Sequence, residues 1–143
     1  MSRLSLTLRN HASEVSRLVD RLEAFGAEAG LPPDVTFRLT LALDEIVCNV
    51  IRHGFDDDAE HLFDVTLDVS GGMVTATVSD DGTPFDPRDA PPPNLDAPIE
   101  ERQPGGLGMH LVRETMDAVE YRRENGRNVL TVRTSVAGRD VDA

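Results

Sequence analysis

Seven of the nine prolines in this 143-residue chain fall between Pro84 and Pro104. Proline has no amide donor and a fixed φ, so this stretch can be neither a regular helix nor a central strand. A loop of that length inside a compact domain is usually functional or disordered. A mobile lid is both, and the stretch from about 83 to 104 is expected to be one.

The regular elements lie on either side of it. Arg3 to Arg9 alternates, with Leu4, Leu6 and Leu8 on one face, and reads as a short half-buried strand. Asn10 or Ser13 can cap an amphipathic helix over His11 to Glu28, whose apolar stripe is Val15, Leu18, Val19, Leu22 and Phe25. Gly30 is placed to stop it, and Pro32-Pro33 suits the first turn of the next helix. That longer helix runs to Arg52 or His53, with Gly54 to end it. Leu43, Ile46, Val47, Val50 and Ile51 form its apolar stripe. Leu62 to Ser70 and Met73 to Ser79 alternate as strands around Gly71-Gly72, a two-residue hairpin signal. After the proline-rich stretch, Gly105 to Gly108 opens a third helix, with Leu107, Leu111, Val112 and Met116 facing inward. Ala118 to Arg123 and Asn128 to Thr134 read as two last strands, and a tail from about 136 is expected to fray. Helices on one face of a mostly antiparallel, mixed sheet make a two-layer α/β (α+β) sandwich, here one domain over residues 1–143.

Charge narrows the function. The formal net charge is -12, and all fourteen basic residues are arginine. Nucleic acid needs a basic face, so it is not an expected partner. The lysine of a Walker-type phosphate loop is missing in type. A bound polyphosphate would need a metal, a helix N-terminus or a few placed arginines. The acidic run Asp56, Asp57, Asp58 and Glu60 reads as a solvated loop. Cys48 alone allows no intrachain disulfide and reads as a small side chain in or near the core. No long apolar run suggests a signal peptide or a membrane span, so no membrane is expected and the default location is the cytoplasm.

Three short motifs can carry chemistry. Glu45 and Asn49 stand one turn apart on one face of the long helix, followed by His53. Taken alone, such a row is what a solvated helix face carries. Yet the carboxylate can take a proton or orient water, and the amide oxygen suits a magnesium ion that keeps several waters. Asp80-Asp81-Gly82 ends a strand, where a carboxylate can accept from an exocyclic amine and a glycine can let a planar ring approach. Taken alone, it is an ordinary turn. Gly105, Gly106, Leu107 and Gly108 can present backbone N–H groups to phosphate at a helix start, although such glycines also serve as hinges.

Together and in this order, EIVCN, DDGTPFD and GGLGMHLV resemble the N, G1 and G2 boxes of the Bergerat-fold, or GHKL, ATPases. Within them the chain is most similar to the anti-sigma-factor serine/threonine-protein kinases, and the likeness extends through NVIRHGF and MDAVEYRR. The resemblance implies ATP and Mg2+ as cofactors, with Glu45 as general base and Asn49 as magnesium ligand. Asp80 would hold the adenine amino group and Gly82 would back the ring. Gly105, Gly106, Leu107 and Gly108 would cradle the phosphates beneath the lid. His53 is expected to pack or cap rather than catalyse. The implied partners are a STAS-type anti-sigma-factor antagonist, phosphorylated on serine, a sigma factor, and a second copy in a homodimer. Two departures stand out: Pro84 replaces a second glycine of the G1 box, and Arg102 is out of register with the family's lid arginine. A non-enzymatic ATP-dependent switch, or a protein-binding regulatory module, is the alternative from another class.

The lid expectation is testable. Residues from about 84 to 104 have few apolar side chains to bury, so their amides should exchange fastest in the nucleotide-free protein and slow when ATP is added. Protection equal to that of the strands without ligand would show ordinary structure instead.

Overall fold

The computed structural model describes residues 2–86 and 106–136. Arg102, Gly105 and most of the expected lid lie outside the described residues, as does the tail beyond 136. The elements follow the order β1 (Ser2–Arg9), α1 (Glu14–Glu28), α2 (Pro33–His53), β2 (Leu62–Ser70), β3 (Met73–Asp80), α3 (Gly106–Thr115), β4 (Ala118–Glu124) and β5 (Arg127–Ser135). The strands form one sheet in the order β1-β2-β3-β5-β4. Among the described residues all four pairings are antiparallel, so the sheet there is not mixed as the sequence suggested.

Strand alternation decides which face is covered. Leu4, Leu6 and Leu8 of β1, Phe63, Val65 and Leu67 of β2, and Val74, Ala76 and Val78 of β3 are all buried. They form one core with Leu18, Leu22 and Phe25 of α1 and with Val35, Leu39, Leu43, Ile46 and Val47 of α2. The opposite positions of β1 and β2 carry Arg3, Ser5, Thr7, Asp64 and Thr66, which leaves that face polar. The Gly71-Gly72 hairpin has φ values of +62° and +76°, the left-handed pair that a two-residue turn of right-handed twist demands.

Three local expectations need correction. Ser13 is the cap residue of α1 but makes no side-chain cap bond. Asn10 does not cap α1 either; its amide bridges the backbone at Ala59 and His61, tying β1 to the loop before β2. The start of α1 is held instead by Glu14, a buried carboxylate that accepts from the Arg9 backbone N–H and guanidinium. On α3, Leu111 is 49% exposed, whereas Met109, Val112 and Met116 are buried at three- and four-residue steps.

α2 meets the end of β3 through backbone. Gly54 follows the last turn of α2, and its carbonyl accepts from the Thr83 N–H at 2.8 Å. Gly82 lies against the same carbonyl, and a Cβ there would fall 1.8 Å from it. Gly82 is thus a glycine because a helix end presses on it. Backbone cannot yield as a side-chain tip can, so Gly82→Ala should lose roughly 1–3 kcal/mol of stability, the usual range for overpacking. Urea unfolding of the two proteins checks this. An unchanged midpoint would mean that the joint is loose.

Candidate functional site

The joint between α2 and β3 leaves a cleft beside it. It encloses about 370 Å³ of empty space, part of it open to solvent. Ile46, Val50, Val78, Leu130, Phe85 and Tyr121 supply an apolar lining, and Gly54 adds backbone. Three polar side chains converge on it: Asn49, Asp80 and Asn128, each buried to 5–6% exposure. A mostly apolar concavity with a few convergent polar groups is the usual form of a small-molecule site.

Asp80 reaches the cleft because β3 alternates, sharing its face with Val74, Ala76 and Val78. Asp81 takes the other side and is exposed. The Asp80 Oδ1 accepts from the Gly82 N–H at 2.9 Å and from the Asn128 amide at 3.0 Å. Asn128 faces Asp80 directly in the β3–β5 register. Sequence reasoning missed Asn128. Its one signal is an asparagine in step with Leu130 and Val132, but Val129 between them blurs the alternation of β5.

Asn49 and Glu45 stand one turn apart on α2 as the spacing predicts. Among the described residues no hydrogen bond claims the Asn49 side chain, which lines the cleft. Glu45 is not part of the lining. Its Oε1 is buried without a hydrogen-bond partner. Burial holds its carboxyl above the ordinary value of 4.5, with Arg52 opposing and Asp44 adding to the rise. His53 packs its ring on Phe85 at 5.9 Å between centroids, the packing role expected of it. Cys48 is half-buried, and burial with the neighbouring Asp44 pushes its thiol up to about 11, too high for a reactive thiolate. Gly106, Leu107 and Gly108 form the first turn of α3. Among the described residues no group of three or more His, Cys, Asp and Glu could hold a metal ion. No helix there is long and apolar enough to cross a membrane.

Comparison with known proteins fits this geometry. Residues 8–134 match the model of the histidine kinase-like ATPase domain, and the chain belongs to that family. It is 35% identical over 96 residues to the serine/threonine-protein kinase BtrW of Bordetella bronchiseptica, covering 67% of this chain and 68% of BtrW. It is 24% identical over 96 residues to the serine-protein kinase RsbW of Bacillus thuringiensis. There the match covers 64% of this chain and 59% of the relative, so the chain spans less than two thirds of that protein. Among solved structures, the RsbU and RsbW domains of Rv1364c from Mycobacterium tuberculosis align with a TM-score of 0.69 at 18% identity. That alignment covers 94% of this chain and 32% of the other, and it shows the shared fold. The anti-sigma-factor kinase resemblance read from the three boxes is therefore borne out at the level of family and fold.

The state of Glu45 has a consequence for stability. The folded chain holds this proton more tightly than the unfolded chain does. The stability this group contributes is present below 4.5, its ordinary value, and is lost as pH rises through the higher folded value. Glu45→Gln removes the titration, so it should melt above wild type at pH 7 and level with it below 4.5. A lower melting temperature for the variant at pH 7 would show that the carboxylate is stabilised where it stands.

Proposed function

We propose that this chain is an ATP-dependent serine kinase of the anti-sigma-factor type. It transfers the γ-phosphoryl of Mg-ATP to a serine of a STAS-type antagonist and, in its other role, sequesters a sigma factor. The observation that carries the kinase reading is the Glu45 carboxylate. A buried, unpartnered oxygen whose carboxyl is held above its ordinary value by burial, one helical turn from a free amide on the cleft wall, is suited to take a proton from a hydroxyl.

The roles follow from chemistry. Asp80 accepts from the adenine amino group, against an apolar wall of Ile46, Val78 and Leu130. The Asn49 amide oxygen, a hard neutral ligand, would hold a magnesium ion. When bound, the ion would neutralise phosphate charge that a lysine-free chain of net charge -12 cannot neutralise alone. The N-terminal turn of α3 at Gly106, Leu107 and Gly108 would receive the phosphates, with Gly105 and Arg102 as further phosphate-binding residues implied by the family resemblance. The serine oxygen attacks the γ-phosphorus, ADP leaves, and the hydroxyl proton passes to Glu45. Phosphoryl transfer asks little more of a protein than positioning and charge stabilisation. The reading includes one domain over residues 1–143, a homodimer and a cytoplasmic setting.

A base that acts in the transition state separates the kinase from a non-enzymatic switch. Glu45→Ala should keep ATP affinity near wild type while phosphorylation of the antagonist falls by roughly 10²–10⁴-fold. Single-turnover assays with labelled ATP, followed by mass spectrometry of the partner, read both. No phosphoserine with wild-type protein and a bound partner would establish the switch. Unchanged transfer in Glu45→Ala would remove the base from the scheme.

A further inference from the structure

One side chain at the cleft uses its whole hydrogen-bonding capacity. An asparagine amide offers two donors and two acceptor sites. The Asn128 nitrogen donates to Asp80 Oδ1 at 3.0 Å and to the Thr83 carbonyl at 2.7 Å. Its oxygen accepts from the Phe85 N–H at 3.2 Å and from the Tyr121 hydroxyl at 2.5 Å. Only this orientation of the amide works, because the nitrogen faces two acceptors and the oxygen faces an N–H. Three chain segments therefore meet on one buried amide: the end of β3, the strand's exit through Thr83 and Phe85, and β4.

The consequence for Asp80 is directional. Among the described residues both donors to this carboxylate fall on Oδ1, one from Asn128 and one from the Gly82 N–H. Two donors on one oxygen fix the carboxylate plane and leave Oδ2 as the acceptor open to a ligand. If the Asn128 donor is removed, the carboxylate can turn about its Cβ–Cγ bond. The Gly82 N–H is then no longer committed to Oδ1 and can meet a carbonyl oxygen from a ligand.

We infer that Asn128 is a positioning residue that sets the base specificity of the cleft. It holds Asp80 in the orientation that accepts an exocyclic amine and refuses a carbonyl. The same amide fixes Phe85, so the wall and the selective group are set together. This rests on the proposed adenine reading of Asp80. A solely structural role for Asn128 makes a different prediction: melting temperature falls when it is removed, but selectivity stays.

Inosine triphosphate keeps the ribose and phosphates of ATP and carries a carbonyl in place of the amine and an N1–H in place of the bare N1, so it changes only the base edge that Asp80 would read. Calorimetric titration of wild-type protein should favour ATP over inosine triphosphate by roughly tenfold or more, the cost of opposing two acceptors. In Asn128→Ala the ratio should fall to within about threefold of one, with ATP losing affinity and inosine triphosphate nearly unchanged. If Asn128→Ala does not fold, Asn128→Leu keeps roughly the volume, offers no donor to Asp80 and should lose selectivity in the same way. Selectivity retained in a folded Asn128 variant overturns the inference and leaves the adenine reading standing. Equal binding of both nucleotides by wild-type protein removes the adenine reading and the inference with it.

Discussion

The cleft is framed by a helix end and a strand end that meet through their backbones, with the Thr83 hydroxyl adding a longer bond to the same carbonyl. The Gly54 carbonyl takes the Thr83 N–H at 2.8 Å, and Gly82 leaves no room for a side chain between them. That contact sets the distance between α2, which carries Glu45 and Asn49, and β3, which carries Asp80. It also sends the chain past His53, so that Phe85 lands on the histidine ring and closes one side of the pocket. Apolar layering of helices on a sheet fixes the general arrangement, but it accepts volume-conserving exchanges of its side chains with repacking. A backbone hydrogen bond with a glycine wedged against it tolerates much less.

What can be read from the residues follows the strength of each periodic signal. Leu4, Leu6 and Leu8, and Phe63, Val65 and Leu67, alternate cleanly, so their buried face is legible in the amino-acid sequence alone. Asp80 can be assigned to that face by counting from Val78, which separates it from the exposed Asp81. The Glu45–Asn49 spacing fixes a shared helix face, and the fold keeps it. α3 is harder. Four apolar residues in ten allow more than one stripe, and Met109 rather than Leu111 takes the core position. Asn10 defeats a capping rule because capping is local, whereas its amide finds backbone partners some fifty residues away. Gly82 looks like room for a ligand, yet its nearest neighbour is the end of α2. Asn128 carries no motif at all. Its importance comes from cross-strand register, which a single sequence does not display.

The two halves of the site differ in how much of their hydrogen bonding the protein itself completes. Around Asp80, two donors occupy one oxygen, and Asn128 has no capacity left over. Around Glu45, a buried oxygen has no partner and its carboxyl is pushed up by burial. A fully satisfied polar network is rigid, and rigidity is what discrimination between similar groups requires. An unsatisfied buried carboxylate costs stability in the empty protein, and native chains retain such groups chiefly where something else completes them.

That asymmetry agrees with the order of events such a site would need. A base must be recognised against a fixed template, because selectivity comes from leaving the wrong ligand's groups unpaired. A proton acceptor gains from the opposite condition. Desolvation raises the carboxylate's basicity, and a donor hydroxyl arriving at Oε1 would supply the missing partner. The sheet provides the first setting through Asp80 and Asn128, and α2 provides the second through Glu45. Asn49 sits low enough on α2 to line the cleft, while Glu45, one turn earlier, sits outside the lining. On the proposed reading, the nucleotide end of the site would be finished before a partner protein arrives, while Glu45 would stay incomplete until a hydroxyl reaches it.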